Sequence, residues 1–372
     1  MRPTWATVDL DAITHNVRAL RSVVAPSQLC AVVKANGYGH GAVPVARAAI
    51  AGGATWLAVA FAGEGIELRD AGIDAPVLVL SEPRPEEMAE ARAADLCVTV
   101  YTADGIDAAA RAAKVVGAPW PVHLKIDTGM HRVGVAPRHA VAAANRIASV
   151  PSLQLGGVCT HCAVADVPDD PFTAQQLDCF DQVLAALREN GHQPAIVHAA
   201  NSAGAIAHPH ARRDLVRCGI AIYGIAPSSA LEGSVALRPA LRLRSEIVHL
   251  QTLDAGERVS YGRRWQAERV ARVATIPIGY ADGVRRSYGL DGGVVLVRGK
   301  RCPVIGVVTM DQLLVDVSDV DPQLGDEVML IGAQGNSVIT ANDVAATLGT
   351  IGYEVACALG ARVPRRYVGG AS

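Results

Sequence analysis

Aromatic residues are scarce in this sequence, and neither sign of charge predominates. Phe, Trp and Tyr make up 4% of the 372 residues, whereas hydrophobic residues as a whole make up 50%. Lysine and arginine number 34 against 36 aspartates and glutamates, which leaves a net charge of -2. This composition supports a large aliphatic core. It gives no electrostatic basis for binding nucleic acid or an anionic membrane surface.

Long apolar runs and paired cysteines are also lacking. No uninterrupted apolar run reaches transmembrane length, and polar and acidic residues interrupt segment 1–17 before a signal-peptide core forms. Only Cys159 and Cys162 lie close together among the eight cysteines, and no second pair accompanies them as a structural zinc site requires. We therefore expect a cytoplasmic protein with no metal, no disulfide framework and no membrane contact.

Eight short hydrophobic runs alternate with Ala-rich segments in the first two-thirds of the chain. The predicted strands are 29–34, 55–60, 76–81, 96–100, 121–127, 153–161, 195–201 and 215–224. Near-continuous hydrophobic strands separated by helices are typical of a parallel sheet, and eight strands close a (β/α)₈ barrel.

A different pattern begins near Leu237, where alternating strands are joined by Gly, Asp and Pro turns. This pattern predicts a mostly antiparallel β domain. The expected domains are 1–236 and 237–372, and residues 1–8 are expected to pair with the second domain.

Polar residues interrupt the predicted barrel strands at one end. Lys34, Lys125, Asp127, His161 and Asn201 each fall at or near the end of a strand. Active sites of such barrels lie at the carboxyl ends of the strands. Because a buried lysine is costly unless it is paired or neutral, this arrangement favours catalysis over packing.

Small residues at 201–204 follow strand seven, and small residues at 218–220 lie within strand eight. Barrels of this kind typically bind phosphate in the loops after these two strands. A strand-end lysine with a phosphate site suits a pyridoxal-phosphate (PLP) enzyme. One alternative is dinucleotide binding, since residues 37–42 match G-x-G-x-x-A. The lysine at the end of strand one, the count of eight strands and the absence of an acidic residue ending strand two argue against it.

Several motifs now identify a family resemblance. They are AVVKANGYGHG (31–41), KIDTGMHRVG (125–134), THCAVAD (160–166), HAANSAG (198–204), VRCGIAIYG (216–224), VSYG (259–262), IGYADGVRR (278–286), MDQ (310–312) and RVPR (362–365). In this order they resemble the alanine racemase family across essentially the whole chain. The resemblance implies a PLP-binding barrel followed by a β domain.

The resemblance also implies a role for each matching residue. Lys34 and Tyr261 would be the two catalytic bases. The residues that bind PLP would be Lys34, Tyr38, His161, Asn201, Ser202, Arg217, Gly219 and Ile220. Arg132 and Met310 would hold the substrate carboxylate, and Lys125 matches a lysine that is carbamylated in some members. Asp166, Tyr280 and Arg286 would line the entryway.

The implied reaction interconverts L- and D-alanine, which supplies D-alanine for peptidoglycan. A proton leaves Cα on one face and returns on the other, so two bases must flank a planar intermediate. A tyrosine with an ordinary pKa near 10 is a poor base, so nearby positive charge must lower that pKa. Arg217 would face the pyridine nitrogen, keep it unprotonated and suppress transamination and decarboxylation. The active site would be shared across a homodimer, because Tyr261 and Met310 would serve the partner subunit.

Two alternatives keep most of these motifs. A racemase of another or broader set of amino acids, such as serine, would share all of them, and only substrate profiling separates it from an alanine racemase. A non-catalytic PLP-carrier protein has a similar barrel, but such proteins typically lack the β domain and the VSYG tyrosine that this chain has.

Two positions depart from the family pattern and generate the first prediction. Ala361 stands where many members have a tyrosine that bonds the phosphate, and Val307 stands where many have an entryway arginine. Both changes remove bulk and polarity, so we expect a roomier substrate pocket. A lost hydrogen bond to a charged group costs roughly 1.5–3 kcal/mol. Ala361→Tyr should therefore tighten PLP binding by about tenfold and lower the serine-to-alanine ratio of kcat/KM. No change in either quantity would overturn the hypothesis.

Overall fold

The computed structural model describes residues 2–114 and 119–370. The chain divides into two compact units. The barrel unit comprises Ile13–Gly37 and Ala42–Leu237, and the sheet unit comprises Met1–Ala12, Tyr38–Gly41 and Arg238–Ser372. The short segment Tyr38–Gly41 thus groups with the C-terminal residues by its contacts, although it lies inside the predicted barrel range.

The first strand, β1 (Thr4–Asp9), belongs to the sheet unit. The strands of the barrel unit, all parallel, are β2 (Gln28–Val32), β3 (Trp56–Val59), β4 (Val77–Val79), β5 (Cys97–Val100), β6 (Trp120–Lys125), β7 (Leu153–Cys159), β8 (Ile196–His198) and β9 (Leu215–Cys218). Their order in the sheet is β8-β7-β6-β5-β4-β3-β2-β9. The predicted eight-stranded parallel sheet is confirmed for the described residues.

Backbone hydrogen bonds join the two outer strands of this sheet. The N–H of Asp214 donates to the carbonyl of Val197 at 3.0 Å, and the N–H of Arg217 donates to the carbonyl of Ala200 at 3.0 Å. The Asp214 carboxylate also accepts from the Val197 N–H at 2.7 Å. These bonds bring β8 and β9 together, so that the sheet closes on itself.

Helix α1 (Leu10–Val24) precedes the first barrel strand, and the left-handed turn α2 (Lys34–Tyr38) follows it. The later helices follow the barrel strands because Ala-rich segments present a small apolar face to the sheet. They are α3 (Ala42–Ala51), α4 (Ala62–Asp70), α5 (Met88–Ala93), α6 (Ala103–Ala113), α7 (Ala140–Ala148), α8 (Phe172–Glu189) and α9 (Ser202–Ala207). Short 3₁₀ turns occur at Pro137–His139, Pro209–Ala211, Ile220–Tyr223 and Ser229–Leu231. Among the helices of the described residues, none combines the length and hydropathy of a membrane span.

The sheet unit contains the remaining strands and helices. They are β10 (Leu241–Glu246), β11 (His249–Leu253), β12 (Arg258–Val259), β13 (Trp265–Gln266), β14 (Ala271–Ile276), β15 (Val294–Val297), β16 (Lys300–Ile305), β17 (Leu313–Asp316), β18 (Glu327–Gln334), β19 (Ser337–Ile339), β20 (Arg365–Val368), α10 (Ala341–Leu348) and α11 (Gly352–Cys357), with 3₁₀ turns at Tyr261–Arg263 and Tyr280–Asp282.

The large sheet of this unit has the order β11-β14-β17-β16-β15-β18-β10-β1-β20, with β19 beside β18. All its pairs are antiparallel except β1 with β20. The first strand therefore completes this sheet from the far end of the sequence. Aliphatic residues of β10, β14, β15 and β17 form its buried core.

The last barrel strand is shorter than predicted. The sequence predicted a strand over 215–224, but β9 ends at Cys218, and Ile220–Tyr223 form a 3₁₀ turn. The Gly219 N–H donates to the Ser202 side chain at 2.9 Å instead of to a strand neighbour, and the Ile222 N–H returns to the Gly219 carbonyl at 2.9 Å. These local bonds replace the ladder and turn the chain away from the sheet.

Candidate active site

The barrel unit places most of the predicted site residues at the carboxyl ends of its strands. Lys34 lies two residues after β2, Lys125 is the last residue of β6, and His161 lies two residues after β7. Asn201 is the N-cap of α9, and Arg217 lies within β9. Because the strands are parallel, these positions share one end of the barrel.

Arg217 is the most firmly held of these side chains, and it is only 5% exposed. Its Nη2 donates to the carbonyls of Thr160 at 2.8 Å and Ala199 at 2.9 Å, and lies 3.2 Å from His161 Nδ1. Its Nη1 donates to His198 Nδ1 at 2.6 Å. A buried cation is tolerated when its donors are satisfied, so these bonds fix the guanidinium in the barrel wall.

His198 extends this arrangement into the barrel interior. Since Arg217 occupies His198 Nδ1 as a donor, the proton of His198 lies on Nε2, which donates to His123 Nδ1 at 2.8 Å. Burial and the charge of Arg217 lower the pKa of His123 to about 4 and hold the pKa of His198 well below its usual range. Both imidazoles are therefore neutral at pH 7, and each has a defined tautomer.

Several cations lower the pKa of His161. Burial lowers the pKa of His161 most, and the charges of Arg217, Lys125, Arg132 and Lys34 lower it further. Burial is also the main reason that the pKa of Lys125 is lowered, with Arg217 and Arg132 adding to that effect. This end of the barrel is thus rich in positive charge, and such a site suits an anionic ligand.

Three of the predicted phosphate-binding residues lie together. Ser202 Oγ accepts from the Gly219 N–H at 2.9 Å and lies 3.4 Å from the Ala221 N–H, and Ile220 lies between those two residues. Asn201 bonds the loop after β7, since its Nδ2 donates to the Cys162 carbonyl at 3.3 Å. The segments that follow β7, β8 and β9 are therefore linked through short polar side chains.

Arg132 and Asp166 lie on exposed loops of the barrel unit. The loop that carries Arg132 is held by Asp127, which accepts from the N–H groups of Gly129 at 3.1 Å and His131 at 2.9 Å. These bonds contribute to lowering the pKa of Asp127. Asp166 accepts at its carbonyl from Ser228 Oγ at 2.6 Å.

The residues after Lys34 form a left-handed turn. Ala35 and Asn36 have φ 52° and ψ 50°, Gly37 has φ 60°, and Tyr38 has φ 51°. Such backbone costs roughly 1–2 kcal/mol per non-glycine residue. The next regular helix, α3, begins only at Ala42. The dinucleotide alternative is therefore not supported, since its glycines should open a right-handed helix.

Tyr38 is buried in the sheet unit, and this burial raises its pKa. His40 Nδ1 donates to the Tyr38 carbonyl at 2.9 Å. Arg365 donates to the Gly39 carbonyl at 3.0 Å, and a Cβ added at Gly41 would lie 2.1 Å from Tyr367 Oη. Strand β20 thus fixes the backbone of Tyr38–Gly41.

The other predicted residues converge on one segment of the sheet unit, Val307–Met310. The Val308 N–H donates to the Arg286 carbonyl at 3.1 Å, and the Tyr280 N–H donates to the Thr309 carbonyl at 3.0 Å. The Ala281 N–H donates to the Met310 carbonyl at 3.1 Å. The structure therefore brings Tyr280, Arg286 and Met310 together.

Tyr261 is linked to the Val307–Met310 segment through Ser260, the residue before it. It lies in the turn between β12 and β13, and it is 70% exposed. Ser260 Oγ donates to the Val307 carbonyl at 2.6 Å. Ser260 has φ 60° and ψ −178°, a region that is essentially restricted to glycine. The base candidate therefore follows a strained residue whose side chain bonds Val307 and whose carbonyl accepts from the Arg263 N–H at 3.1 Å.

The two departures from the family pattern lie in different surroundings. Val307 is 2% exposed and packs inside the sheet unit, whereas Ala361 is exposed. Val307 still contributes its carbonyl to Ser260. A buried Val307 does not enlarge an open pocket of its own chain. The exposed Ala361 is the position that the Ala361→Tyr substitution tests.

Sequence analysis missed His123 and His198. Both lie inside strands that were otherwise read as apolar, and a polar residue within a strand of a parallel sheet is unusual. A histidine within a hydrophobic strand could therefore have indicated a buried polar contact at these two positions. All eight cysteines are free, including Cys159 and Cys162.

Comparison with known proteins agrees over the full chain. The family described as "Alanine racemase, N-terminal domain" matches residues 8–227, and "Alanine racemase, C-terminal domain" matches residues 240–367. A curated alanine racemase of Symbiobacterium thermophilum is 46% identical over 370 residues, covering 99% of this chain and 98% of that protein.

Solved structures give the same result. The alanine racemase of E. faecalis is 41% identical with a TM-score of 0.93, covering 99% of this chain and 98% of its own. That of Bacillus anthracis with bound L-Ala-P is 38% identical with a TM-score of 0.93, covering 99% and 95%.

A second prediction follows from Ser260. Ser260→Ala removes the bond to the Val307 carbonyl but retains the strained backbone, whereas Ser260→Gly removes the bond and relieves the strain. If the bond positions Tyr261, both variants should lower kcat. Ser260→Gly should unfold at a higher urea concentration than Ser260→Ala, because the strain costs about 1–3 kcal/mol. A parental kcat in Ser260→Ala would show that the bond does not position Tyr261.

Proposed function

This chain belongs to the alanine racemase family, and we propose that it works through Lys34 and Tyr261 as opposed bases, with PLP as cofactor. It has the function of its family, the racemisation of alanine, which full-length relatives at 38–46% identity support. The observation that carries the proposed mechanism is the placement of Lys34, Lys125, His161 and Arg217 at one end of the parallel barrel strands.

The residues present fit PLP. A phosphate dianion suits the positive end of the barrel, where Lys34, Lys125, Arg132 and Arg217 act on one imidazole. Ser202 offers a hydroxyl beside Gly219 and Ile220, where the backbone can approach closely. When bound, PLP supplies an electron sink for the charge left at Cα. In this proposal, Tyr38, Asn201 and His161 complete its binding site.

Arg217 suits a racemase for a chemical reason. Arginine stays protonated in proteins, so a guanidinium facing the ring nitrogen donates a hydrogen bond and leaves that nitrogen uncharged. His198 and two carbonyls hold Arg217 in place, and no carboxylate is among the partners of its Nη atoms in the described residues. Arg217 so placed would weaken the electron sink of bound PLP and would thereby favour return of the proton to Cα over competing reactions.

The two bases exchange protons with Cα on opposite faces in this proposal. Lys34 Nζ takes or returns the proton on one face, and Tyr261 Oη does so on the other. Arg132 and the N–H of Met310 hold the substrate carboxylate, and Asp166, Tyr280 and Arg286 line the entry. Holding the carboxylate keeps Cα between the two bases.

Lys125 is proposed to carry a carbamate. Burial lowers the pKa of its amine, which raises the neutral fraction that attacks carbon dioxide. The nitrogen bonds to the carbon of carbon dioxide, and one amine proton is released to solvent. The product is a carboxylate placed to orient Arg132, whose charge acts on Lys125.

A homodimer with shared sites is supported by the sheet unit. Tyr261, Met310 and Tyr280 are 70%, 51% and 41% exposed, although hydrogen bonds gather their segments at one place. Large side chains that are both clustered and exposed are typical of an interface. We infer that these residues complete the site of the partner subunit.

We also infer the physiological role from the family. The enzyme supplies D-alanine for peptidoglycan in the cytoplasm.

Lys34→Ala provides the direct test of the cofactor assignment. The parent protein should be yellow, and borohydride should bleach its visible band while fixing the cofactor to Lys34. Lys34→Ala should abolish both the covalent adduct and the racemisation of L-alanine, measured by conversion to the D-isomer. Lys114→Ala, outside the proposed site, serves as the matched lysine control. Retention of adduct and activity in Lys34→Ala would refute the assignment.

Subunit mixing tests the shared site. Lys34→Ala and Tyr261→Phe homodimers should each be inactive, whereas mixed dimers contain one site with both bases intact. After random exchange of equal amounts, about half of the dimers are mixed and one of their two sites is intact. We therefore expect recovery of about a quarter of parental activity. No recovery after subunit exchange verified by mass spectrometry would contradict a shared site.

A further inference from the structure

The Glu64 carboxylate binds backbone N–H groups at the start of its own helix and the one directly after Lys34. Glu64 lies in the first turn of α4, and its carboxylate accepts three backbone N–H groups. Oε1 accepts from Ala35 at 2.6 Å, and Oε2 accepts from Ala60 at 2.7 Å and Phe61 at 3.2 Å. One side chain thus joins the turn after β2 to the start of the helix after β3.

The bond to Ala35 falls at the strained part of the chain. Ala35 is the residue directly after Lys34, and its φ of 52° is unfavourable for any residue with a Cβ. Ala35 is exposed, so little side-chain packing compensates for that backbone. The charge-assisted bond from its N–H to Glu64 is therefore a main local support of the turn.

Two neighbouring bonds complete the turn. The Gly37 N–H donates to the Val33 carbonyl at 2.8 Å, and Asn36 Oδ1 accepts from the Ala42 N–H at 3.0 Å. The first of these bonds spans Lys34 and the second ties the end of the turn to α3, and both leave the Ala35 N–H to Glu64.

We propose that Glu64 is a positioning residue for Lys34: its carboxylate holds the left-handed turn that fixes the Lys34 backbone for cofactor attachment. This inference rests on the proposed role of Lys34. Glu64 acts through the Ala35 backbone and not on the reacting atoms. An amide cannot replace it, because an NH₂ group would face an N–H donor on one side.

Glu82 supplies a matched control. Its carboxylate accepts from the N–H groups of Tyr101 at 2.5 Å and Thr102 at 2.9 Å, the same chemistry in the loop after β5. That loop carries none of the proposed site residues. Glu82→Gln should therefore reproduce the loss of a half-buried carboxylate that accepts backbone N–H groups, without affecting Lys34.

Ala35→Gly supplies a rescue. Glycine adopts positive φ without the steric penalty of a Cβ, and an exposed Ala35 loses little packing on removal of its methyl group. Glu64→Gln with Ala35→Gly should therefore regain the turn that Glu64→Gln alone loosens.

The experiment measures PLP binding to cofactor-stripped protein and the fraction of Lys34 trapped by borohydride, with kcat and KM in parallel. Glu64→Gln should bind PLP roughly tenfold more weakly and trap less cofactor, Glu82→Gln should match the parent, and the double variant should recover most of the loss. Rescue distinguishes a defect of the turn from general misfolding, even if Glu64→Gln alone folds poorly.

Two results would overturn the proposal: equal PLP affinity in Glu64→Gln and Glu82→Gln, or no recovery in the double variant. Either result would leave the role of Lys34 intact as long as Lys34→Ala still fails to trap cofactor. Trapping of cofactor in Lys34→Ala would instead refute the proposed function itself.

Discussion

The placement of a buried guanidinium in the wall of the barrel is the constraint on which the site depends. Arg217 lies on the strand that closes the sheet, and its own N–H makes one of the closing bonds, to the Ala200 carbonyl. Its side chain binds the segments after β7 and β8. Closure of the barrel and hydrogen bonding of this charge therefore occur together. If the barrel opened, the buried guanidinium would lose its acceptors, which would cost free energy of folding.

In the sheet unit, backbone hydrogen bonds around Val307–Met310 hold the proposed site residues in place. Three segments meet there through main-chain atoms and one serine hydroxyl, namely Ser260, residues 280–286 and residues 307–310. Main-chain bonding tolerates changes of side chain, so the bond from Ser260 Oγ to the Val307 carbonyl does not depend on which side chain stands at position 307. The barrel unit thus fixes charges through side chains, while the sheet unit fixes its aromatic residues through the backbone.

Periodicity and residue type predicted the eight strands, the change to antiparallel structure and the polar residues at one end of the barrel. These features follow from local patterns. The His198–His123 bond, the Glu64 contact and the grouping of Tyr38–Gly41 with Arg365 arise between segments far apart in sequence, so no local pattern contains them. The positive φ of Ala35 and Ser260 could not be predicted either, because these residue types do not favour it. Only the tertiary bonds explain them.

The position of β1 between β10 and β20 has a consequence for synthesis on the ribosome. Strand β1 pairs with two strands that are encoded more than 200 residues later. At about 5–20 residues per second, it waits on the order of 10–50 s for β10 and about 20–70 s for β20. During that time the barrel sequence is completed while β1 remains an open strand edge, which is prone to pairing with other chains. Chaperone protection of nascent β1 should therefore matter more for the yield of this protein than for one whose strands pair with their neighbours in sequence.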